Sequence, residues 1–185
     1  VRADAGHGSA PGPLDLVIAN AGIAENGIES RDAADAAARV LAVNAVAAAA
    51  TIEFGKDLML TRGAGQLCAI SSLAGTRGLP GAPAYCASKA ALSTYVEALR
   101  FHLRGTGLSI MDVQPGFIRT PMTDRNRFPM PFLMELDAAA VRTVRALERK
   151  RPPSTLRYPR RLAWPLRLAA STLPGWAWQG VLGKR

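Results

Sequence analysis

Two side chains in the middle of the chain have types and spacing that suit acid–base chemistry. Tyr85 and Lys89 are four residues apart, so a helix places them on one face, about one turn apart. A phenol has a reference pKa of roughly 10, and a cationic neighbour favours its ionised form. Tyr85 is therefore a candidate acid or base, with Lys89 as the charge that adjusts it.

The sequence also predicts a serine hydroxyl close to Tyr85 and Lys89. Ser72 lies thirteen residues before Tyr85 and follows the apolar run 66–70, which is typical of a buried strand. Open α/β sheets bind ligands beyond the carboxyl ends of their strands. Ser72, Tyr85 and Lys89 together therefore suit the polarisation of a carbonyl or alcohol oxygen and the transfer of a proton at that atom.

This pattern resembles the active-site signature of a known family. Ser72 followed thirteen residues later by Tyr85-Cys86-Ala87-Ser88-Lys89 is similar to the signature of the classical short-chain dehydrogenase/reductase (SDR) family. The resemblance implies an α/β fold with a Rossmann-like, doubly wound parallel sheet. It also implies an NAD(P)-dependent oxidoreductase that interconverts an alcohol and a carbonyl by hydride transfer. Tyr85 would be the acid/base, Lys89 would lower its pKa and hold the ribose, and Ser72 would polarise the carbonyl.

An asparagine in a helical segment is a fourth candidate. The Ala-rich run from Glu29 to Leu60 favours helix, with Ser30 as its cap. Asn44 falls within the apolar stripe of this run, where a buried amide needs hydrogen-bond partners. Taken alone, Asn44 is equally well explained as a satisfied helix-interior residue. The resemblance implies instead that it holds a water in the proton relay behind Lys89.

Two turns are candidates for cofactor contacts. Residues 20–22 end the apolar run 14–19, a predicted strand, and alone they form an ordinary strand-ending turn. Residues 115–120 follow a second predicted strand, 108–113. The resemblance implies that both turns border the cofactor, and the implied contacts are Asn20, Ala21, Gly22, Tyr85, Lys89, Pro115, Gly116, Ile118 and Thr120.

The phosphate-binding part of the family pattern is missing. No Gly-x-x-x-Gly-x-Gly turn precedes Leu14, and thirteen residues are too few for three strands and their helices. The resemblance therefore covers the carboxyl-terminal two-thirds of the family fold. It implies NAD or NADP as cofactor, with a slight preference for NADP. The choice between the two stays open, because the residue that selects between them lies in the missing part. We expect an unpaired strand edge and a chain that relies on association for stability.

Charge divides the chain into two parts. The net charge is +9, and residues 149–185 hold nine Lys/Arg and no Asp/Glu, whereas residues 1–148 hold 14 of each sign. We therefore interpret residues 1–150 as the SDR portion and residues 151–185 as a basic, Trp- and Pro-containing tail. Charge confined to a tail, without a recognition motif, argues against nucleic acid as a partner. The tail suits either an anionic membrane surface or a packed or oligomeric contact.

The remaining expectations concern substrate, assembly and location. Residues 121–134 are rich in Pro, Met and Phe and correspond to the family's substrate lid, which favours an apolar alcohol or ketone; core packing explains them equally well. The resemblance implies a homo-oligomer formed through the helix at 84–103 and the helix before it. Cys68 and Cys86 lack metal-ligand spacing, so we expect no metal and a reduced, cytoplasmic protein, peripheral to the membrane if the tail binds there.

Two functions from different classes remain open at this point. The residues Ser72, Tyr85 and Lys89 favour an oxidoreductase. The missing phosphate-binding turn favours a catalytically inactive remnant that acts as a partner- or membrane-surface-binding module.

Overall fold

A computed structural model describes residues 12–25, 32–126 and 128–182. Within them, four parallel strands form one sheet in chain order. The strands are β1 (Leu16–Ala19), β2 (Gly65–Ile70), β3 (Leu108–Pro115) and β4 (Thr155–Tyr158). The predicted α/β class with a parallel sheet is confirmed.

Helices connect the strands and extend beyond the last one. They are α1 (Ala33–Leu41), a π-helical segment (Ala42–Ala47), α2 (Ala48–Leu60), α3 (Pro83–His102), α4 (Leu136–Leu147), α5 (Arg160–Thr172) and α6 (Gly175–Leu182). Short 3₁₀ turns occur at Leu73–Gly75 and Thr123–Arg125. Asp32 caps α1 by accepting a hydrogen bond from the Ala34 amide at 2.8 Å; the predicted cap, Ser30, lies outside the described residues.

The two faces of the sheet are covered by different helices. Successive residues of a strand point to opposite faces, so β2 and β3 each contribute to two apolar clusters. One cluster joins them to α2 and α3 through Ile52, Leu67, Leu92, Val96 and Ile110. The other joins them to α4 through Cys68, Met111, Val113, Ala139 and Ala146. Helices on both faces give the doubly wound arrangement.

The helix from α1 to α2 is continuous over Ala33–Leu60, and by length and composition it is apolar enough to cross a membrane. Its inner face packs on β1 and β2, where Ile52 and Met59 are buried. A core helix of a sheet protein has the same composition as a membrane span, because both bury apolar side chains.

Strand β1 is one of the two edge strands of the described sheet. Among the described residues it pairs only with β2. Its Leu16 and Ile18 are 38% and 42% exposed, although such side chains are usually buried. A strand edge of this kind is able to pair with further strands or with another chain.

The carboxyl-terminal segment is more ordered than its sequence pattern indicates. The short strand expected at 155–158 is confirmed as β4, but α5 and α6 were not predicted. Pro165 interrupts the sequence pattern yet lies inside α5. Tertiary contacts outweigh this local cost: the Arg77 guanidinium donates to the carbonyls of Ala170 (3.0 Å) and Leu173 (2.7 Å), and the Trp178 indole donates to Gly78.

Candidate active site

Ser72 is held where β2 and β3 end. It has an extended backbone and caps the 3₁₀ turn that follows it, because its Oγ accepts a hydrogen bond from the Ala74 amide at 3.1 Å. The same hydroxyl donates to the Pro115 carbonyl at the end of β3, at 3.4 Å. The side chain is therefore oriented by both strands.

Tyr85 and Lys89 lie one turn apart near the start of α3. The Lys89 Nζ is 5.8 Å from the centre of the Tyr85 ring and donates to the Ile70 carbonyl at 2.8 Å. Lys89 is buried. This bond ties α3 to the end of β2 and brings both side chains to Ser72.

Burial dominates the electrostatics of the pair. It raises the pKa of the Tyr85 phenol, and a hydrogen bond with Ser72 opposes that shift. It lowers the pKa of the Lys89 amine to about 8, against the attraction of the Asp112 carboxylate. Tyr85 is thus a neutral phenol and Lys89 mostly a cation at pH 7. The net shift of the Tyr85 pKa is upward, since desolvation outweighs the hydrogen bond with Ser72. The lowering of this pKa by Lys89 stays a prediction.

The Lys89 shift predicts a pH-dependent stability. The amine has a reference pKa of 10.5, which falls to about 8 on folding, so the unfolded chain binds more protons between these values and folding is favoured as pH rises. Relative to Lys89→Met, the wild-type free energy of unfolding should rise by about 3 kcal/mol from pH 7.5 to 10.5. Urea denaturation of both proteins at the two pH values measures this; a constant difference would contradict it.

Asn44 connects the turn after β1 to α3. It is fully buried in the π-helical segment, a local irregularity that is frequent at functional sites. Its Oδ1 accepts from the Ile23 amide and its Nδ2 donates to the Ile23 carbonyl, both at 2.8 Å. Nδ2 also lies 3.1 Å from the Ser88 Oγ. These hydrogen bonds link the turn after β1, the π-helical segment and α3.

The first predicted cofactor turn lies against this centre. A Cβ atom added at Gly22 would lie 3.4 Å from both the Asn44 Oδ1 and the Lys89 Nζ. Glycine therefore leaves open space beside the lysine. Asn20 and Ala21 adjoin it and are exposed.

The second predicted cofactor turn is only partly joined to the site. Pro115 contacts Ser72, as described, whereas a Cβ at Gly116 would lie 2.9 Å from the Leu162 side chain of α5. Ile118 forms a β-bridge with Met134. The Thr120 amide donates to the Thr123 hydroxyl at 2.9 Å, so this part of the turn is held by its own loop.

Sequence reasoning missed three residues that support the site. A Cβ at Gly75 would lie 2.8 Å from the backbone of Lys89 and Ala90, so glycine lets the 3₁₀ turn pack directly on α3. The Glu25 carboxylate accepts from the Tyr85 amide at 2.9 Å and so caps α3. Ser88 donates to the Tyr85 carbonyl at 2.8 Å. Only the glycine carried a sequence signal, as a helix-breaking residue within a short helical turn.

A buried polar pair on β3 was missed as well. Asp112 accepts hydrogen bonds from the Ser71 hydroxyl and, at 2.6 Å, from the Gln114 amide. Both β3 residues are buried and face α3. Two polar residues within an otherwise apolar strand were the available signal, because buried polar groups require partners.

The cysteines show no sign of reactivity. Cys68 and Cys86 are free and buried. Burial raises the pKa of the Cys68 thiol to about 12 and also raises that of Cys86, which keeps both as thiols. Within the described ranges, no three His, Cys, Asp or Glu side chains are grouped to bind a metal.

A parallel sheet with helices on both faces defines a Rossmann-like α/β protein. Ser72, Tyr85 and Lys89 converge where β2 and β3 end, at the candidate active site. A sequence profile described as short chain dehydrogenase matches residues 5–129, more than half of the chain. The chain belongs to the short-chain dehydrogenase/reductase family.

Two relatives of known sequence are described as an oxidoreductase and a reductase. An uncharacterized oxidoreductase of Myxococcus xanthus is 42% identical over 158 residues, covering 85% of this chain and 62% of the relative. The ketoacyl reductase HetN of a Nostoc species is 34% identical over 143 residues, covering 75% of this chain and 50% of the relative. The chain thus spans half to 62% of the length of these two relatives.

Solved structures share the fold at 22% identity. A short-chain dehydrogenase from Burkholderia cenocepacia in complex with NADP has a TM-score of 0.75, covering 92% of this chain and 69% of that one. One from Sphingobium yanoikuyae in complex with NADPH has a TM-score of 0.69, covering 92% and 65%. These likenesses confirm the predicted Rossmann-like fold.

Proposed function

We propose that this chain is the catalytic portion of an NAD(P)-dependent oxidoreductase that interconverts an alcohol and a carbonyl. The observation that carries the proposal is the convergence of Ser72, Tyr85 and Lys89 at the carboxyl ends of β2 and β3. This edge of a parallel sheet is the usual place for a bound nucleotide or substrate.

The residues present fit the nicotinamide-ribose half of the cofactor. Gly22 leaves space beside the Lys89 amine, whose charge and hydrogens suit ribose hydroxyls. Asn20, Ala21, Pro115, Gly116, Ile118 and Thr120 are proposed to border the cofactor from the two turns. When bound, the nicotinamide ring supplies or accepts the hydride. The NADP and NADPH complexes of structural neighbours support a slight preference for NADP.

The chain's own residues would polarise the substrate oxygen and transfer a proton to or from it. Ser72 would donate a hydrogen bond to that oxygen and polarise the carbonyl. Tyr85, kept neutral by burial, would donate its proton there in reduction and accept one in oxidation. Lys89 would stabilise the phenolate once the proton has left, and Asn44 would position a relay water behind Lys89.

Binding of the reduced cofactor tests the proposal directly. NADH and NADPH are titrated into the purified chain, and binding is followed by nicotinamide fluorescence and by thermal shift. We expect saturable binding of at least one, lost in Lys89→Met and retained in Lys56→Met, a partly exposed lysine paired with Glu53. A folded chain that binds neither cofactor would favour the inactive-remnant alternative.

The substrate is proposed to be an apolar ketone or alcohol. Phe128 and Phe132 in the segment after β3 are 53% and 50% exposed, and Phe128 packs edge-to-face on Phe117 with ring centres 6.0 Å apart. Aromatic surface of this kind suits an apolar ligand. The ketoacyl reductase among the relatives supports a ketone carried on an acyl chain.

A homo-oligomer is proposed through the outer faces of α2 and α3. Phe54 and Leu58 on α2 and Phe101 on α3 are 68%, 51% and 60% exposed. Large exposed apolar side chains on adjacent helices mark interaction surfaces. A second copy of the chain, presenting the same faces, would cover them.

The alternative proposal, a membrane-surface contact, is favoured by exposed side chains of α5. Trp164 and Leu168 are 65% and 66% exposed there, and the exposed Arg160 and Arg161 start the same helix. Tryptophan, leucine and arginine on one helix suit an anionic lipid interface. The proposed location is the cytoplasm, as expected from the reduced cysteines. These α5 side chains would add a peripheral contact with the membrane.

A further inference from the structure

A surface cavity lies next to α3, and its lining does not include the three proposed catalytic side chains. It has a volume of about 530 Å³ and opens between α3, α5 and the ends of β3 and β4. Ser93 and Glu97 of α3 line it, whereas Ser72, Tyr85 and Lys89 do not. Small-molecule sites have volumes in this range.

Positive charge outnumbers negative charge in the lining of this cavity. Arg157 and Arg167 both line it. Burial lowers the pKa of the Arg157 guanidinium, and the nearby positive charge of Arg167 lowers it further. Neither forms an ion pair with any residue in the described part of the chain; the ion pairs found there use other cations. The Asp112 and Glu97 carboxylates act on the Arg157 pKa in the opposite direction without pairing with it. Arg157 is half-buried and Arg167 is exposed, and a bound anion would offset the repulsion between the two guanidinium groups.

One of these guanidinium groups is already oriented. The Arg157 Nε donates to the Gln114 Oε1 at 2.6 Å. Gln114 is in turn held by Asp112 at 2.6 Å and by Ser93 at 3.3 Å. A donor fixed before binding loses little conformational entropy when a ligand arrives, which favours affinity.

The other lining residues restrict the chemical class of ligand that the cavity could bind. Thr76, Ser93 and Thr94 are hydroxyl-bearing residues of the wall, and Trp164 and Leu168 are apolar ones. Glu97 is the acidic residue there, against two arginines. Guanidinium groups and hydroxyls together suit phosphate or carboxylate oxygens, while an indole suits an apolar or aromatic body.

We propose that this cavity binds a small organic oxyanion, through Arg157 and Arg167, with an apolar portion against Trp164. The site is separate from the proposed oxidoreductase centre, and its occupancy does not depend on that activity.

The test measures binding rather than turnover. Inorganic phosphate and phenyl phosphate are titrated into the purified chain by calorimetry at constant ionic strength. We expect saturable binding, tighter for phenyl phosphate because of its ring. Arg167→Gln should weaken phosphate about tenfold, the value of one charge-assisted hydrogen bond. Arg145→Gln is the control: it removes the same charge at an exposed position of α4, outside the cavity, and it should leave affinity unchanged.

Three outcomes would overturn the proposal: no saturable binding, equal weakening by both variants, or binding that NADPH displaces and Arg167→Gln does not alter. Far-ultraviolet circular dichroism verifies that the variants fold. The source of the oxyanion is separated by two further titrations that use glycerol phosphate and vesicles containing phosphatidic acid. Binding of the first supports a soluble ligand, and binding of the vesicles alone, abolished by Arg167→Gln, supports a lipid headgroup in the same cavity.

Discussion

Tyr85→Phe is expected to lower turnover by about 10³-fold and to weaken cofactor binding far less. The substitution removes only the hydroxyl that exchanges a proton with the substrate oxygen, and such acid–base groups contribute about 10² to 10⁴ to the rate. Lys89 and Ser72, which are proposed to bind cofactor and substrate, remain in place. The measurement is single-turnover oxidation of NADPH with a panel of apolar ketones, together with NADPH titration by fluorescence.

The control for this prediction is Tyr95→Phe. Tyr95 lies on the same helix, and its hydroxyl bonds the Glu53 carboxylate on α2, away from Ser72. This variant should retain turnover within about threefold, since surface and peripheral hydrogen bonds contribute little to the rate. Equal turnover in wild type and Tyr85→Phe would remove the tyrosine from the mechanism and favour the inactive-remnant alternative.

Gly75→Ala is expected to damage both stability and rate, although residue 75 contacts no substrate in the proposal. The added Cβ would lie 2.8 Å from backbone atoms of Lys89 and Ala90, and backbone cannot rotate away as a side chain can. The 3₁₀ turn must therefore separate from α3, at a cost of about 3 kcal/mol. Ser72 caps that turn, so its hydroxyl would move from Tyr85, and a shift near 1 Å costs about 10²-fold in rate.

Gly78→Ala is the matched control for that prediction. It lies in the same loop, and a Cβ there meets nothing within 4 Å. Its stability should change by less than about 0.5 kcal/mol. Urea denaturation and turnover of the two variants together test the packing of the 3₁₀ turn on α3; an undamaged Gly75→Ala protein would contradict it.

The elements that surround the site were predictable because each one follows a local rule. Apolar runs predicted β2 and β3, and a 3.6-residue apolar period predicted α3, each within a few residues. Strands buried on both faces are apolar along their length, whereas a helix buried on one face is periodic. Strand β1 and helix α4 were also found. The helices α5 and α6 were not found, because prolines interrupt their pattern and Arg77 and Trp178 supply their stabilising contacts from afar.

The sequence by itself determined the chemistry that the site offers. Tyr85 and Lys89 share a helix face because residues four apart must do so, and Ser72 follows a strand whose end faces them. Tertiary structure alone decided the burial, the pKa values and the neighbours of these groups. The raised pKa of Tyr85 and the lowered pKa of Lys89 arise from burial. Gly22 lies beside Lys89, and Asn44 bonds Ser88, only because the turn after β1 and the π-helical segment pack on α3. The cavity with Arg157 and Arg167 likewise exists only because α5 folds back across β4, since desolvation and charge proximity depend on distances that no local pattern encodes.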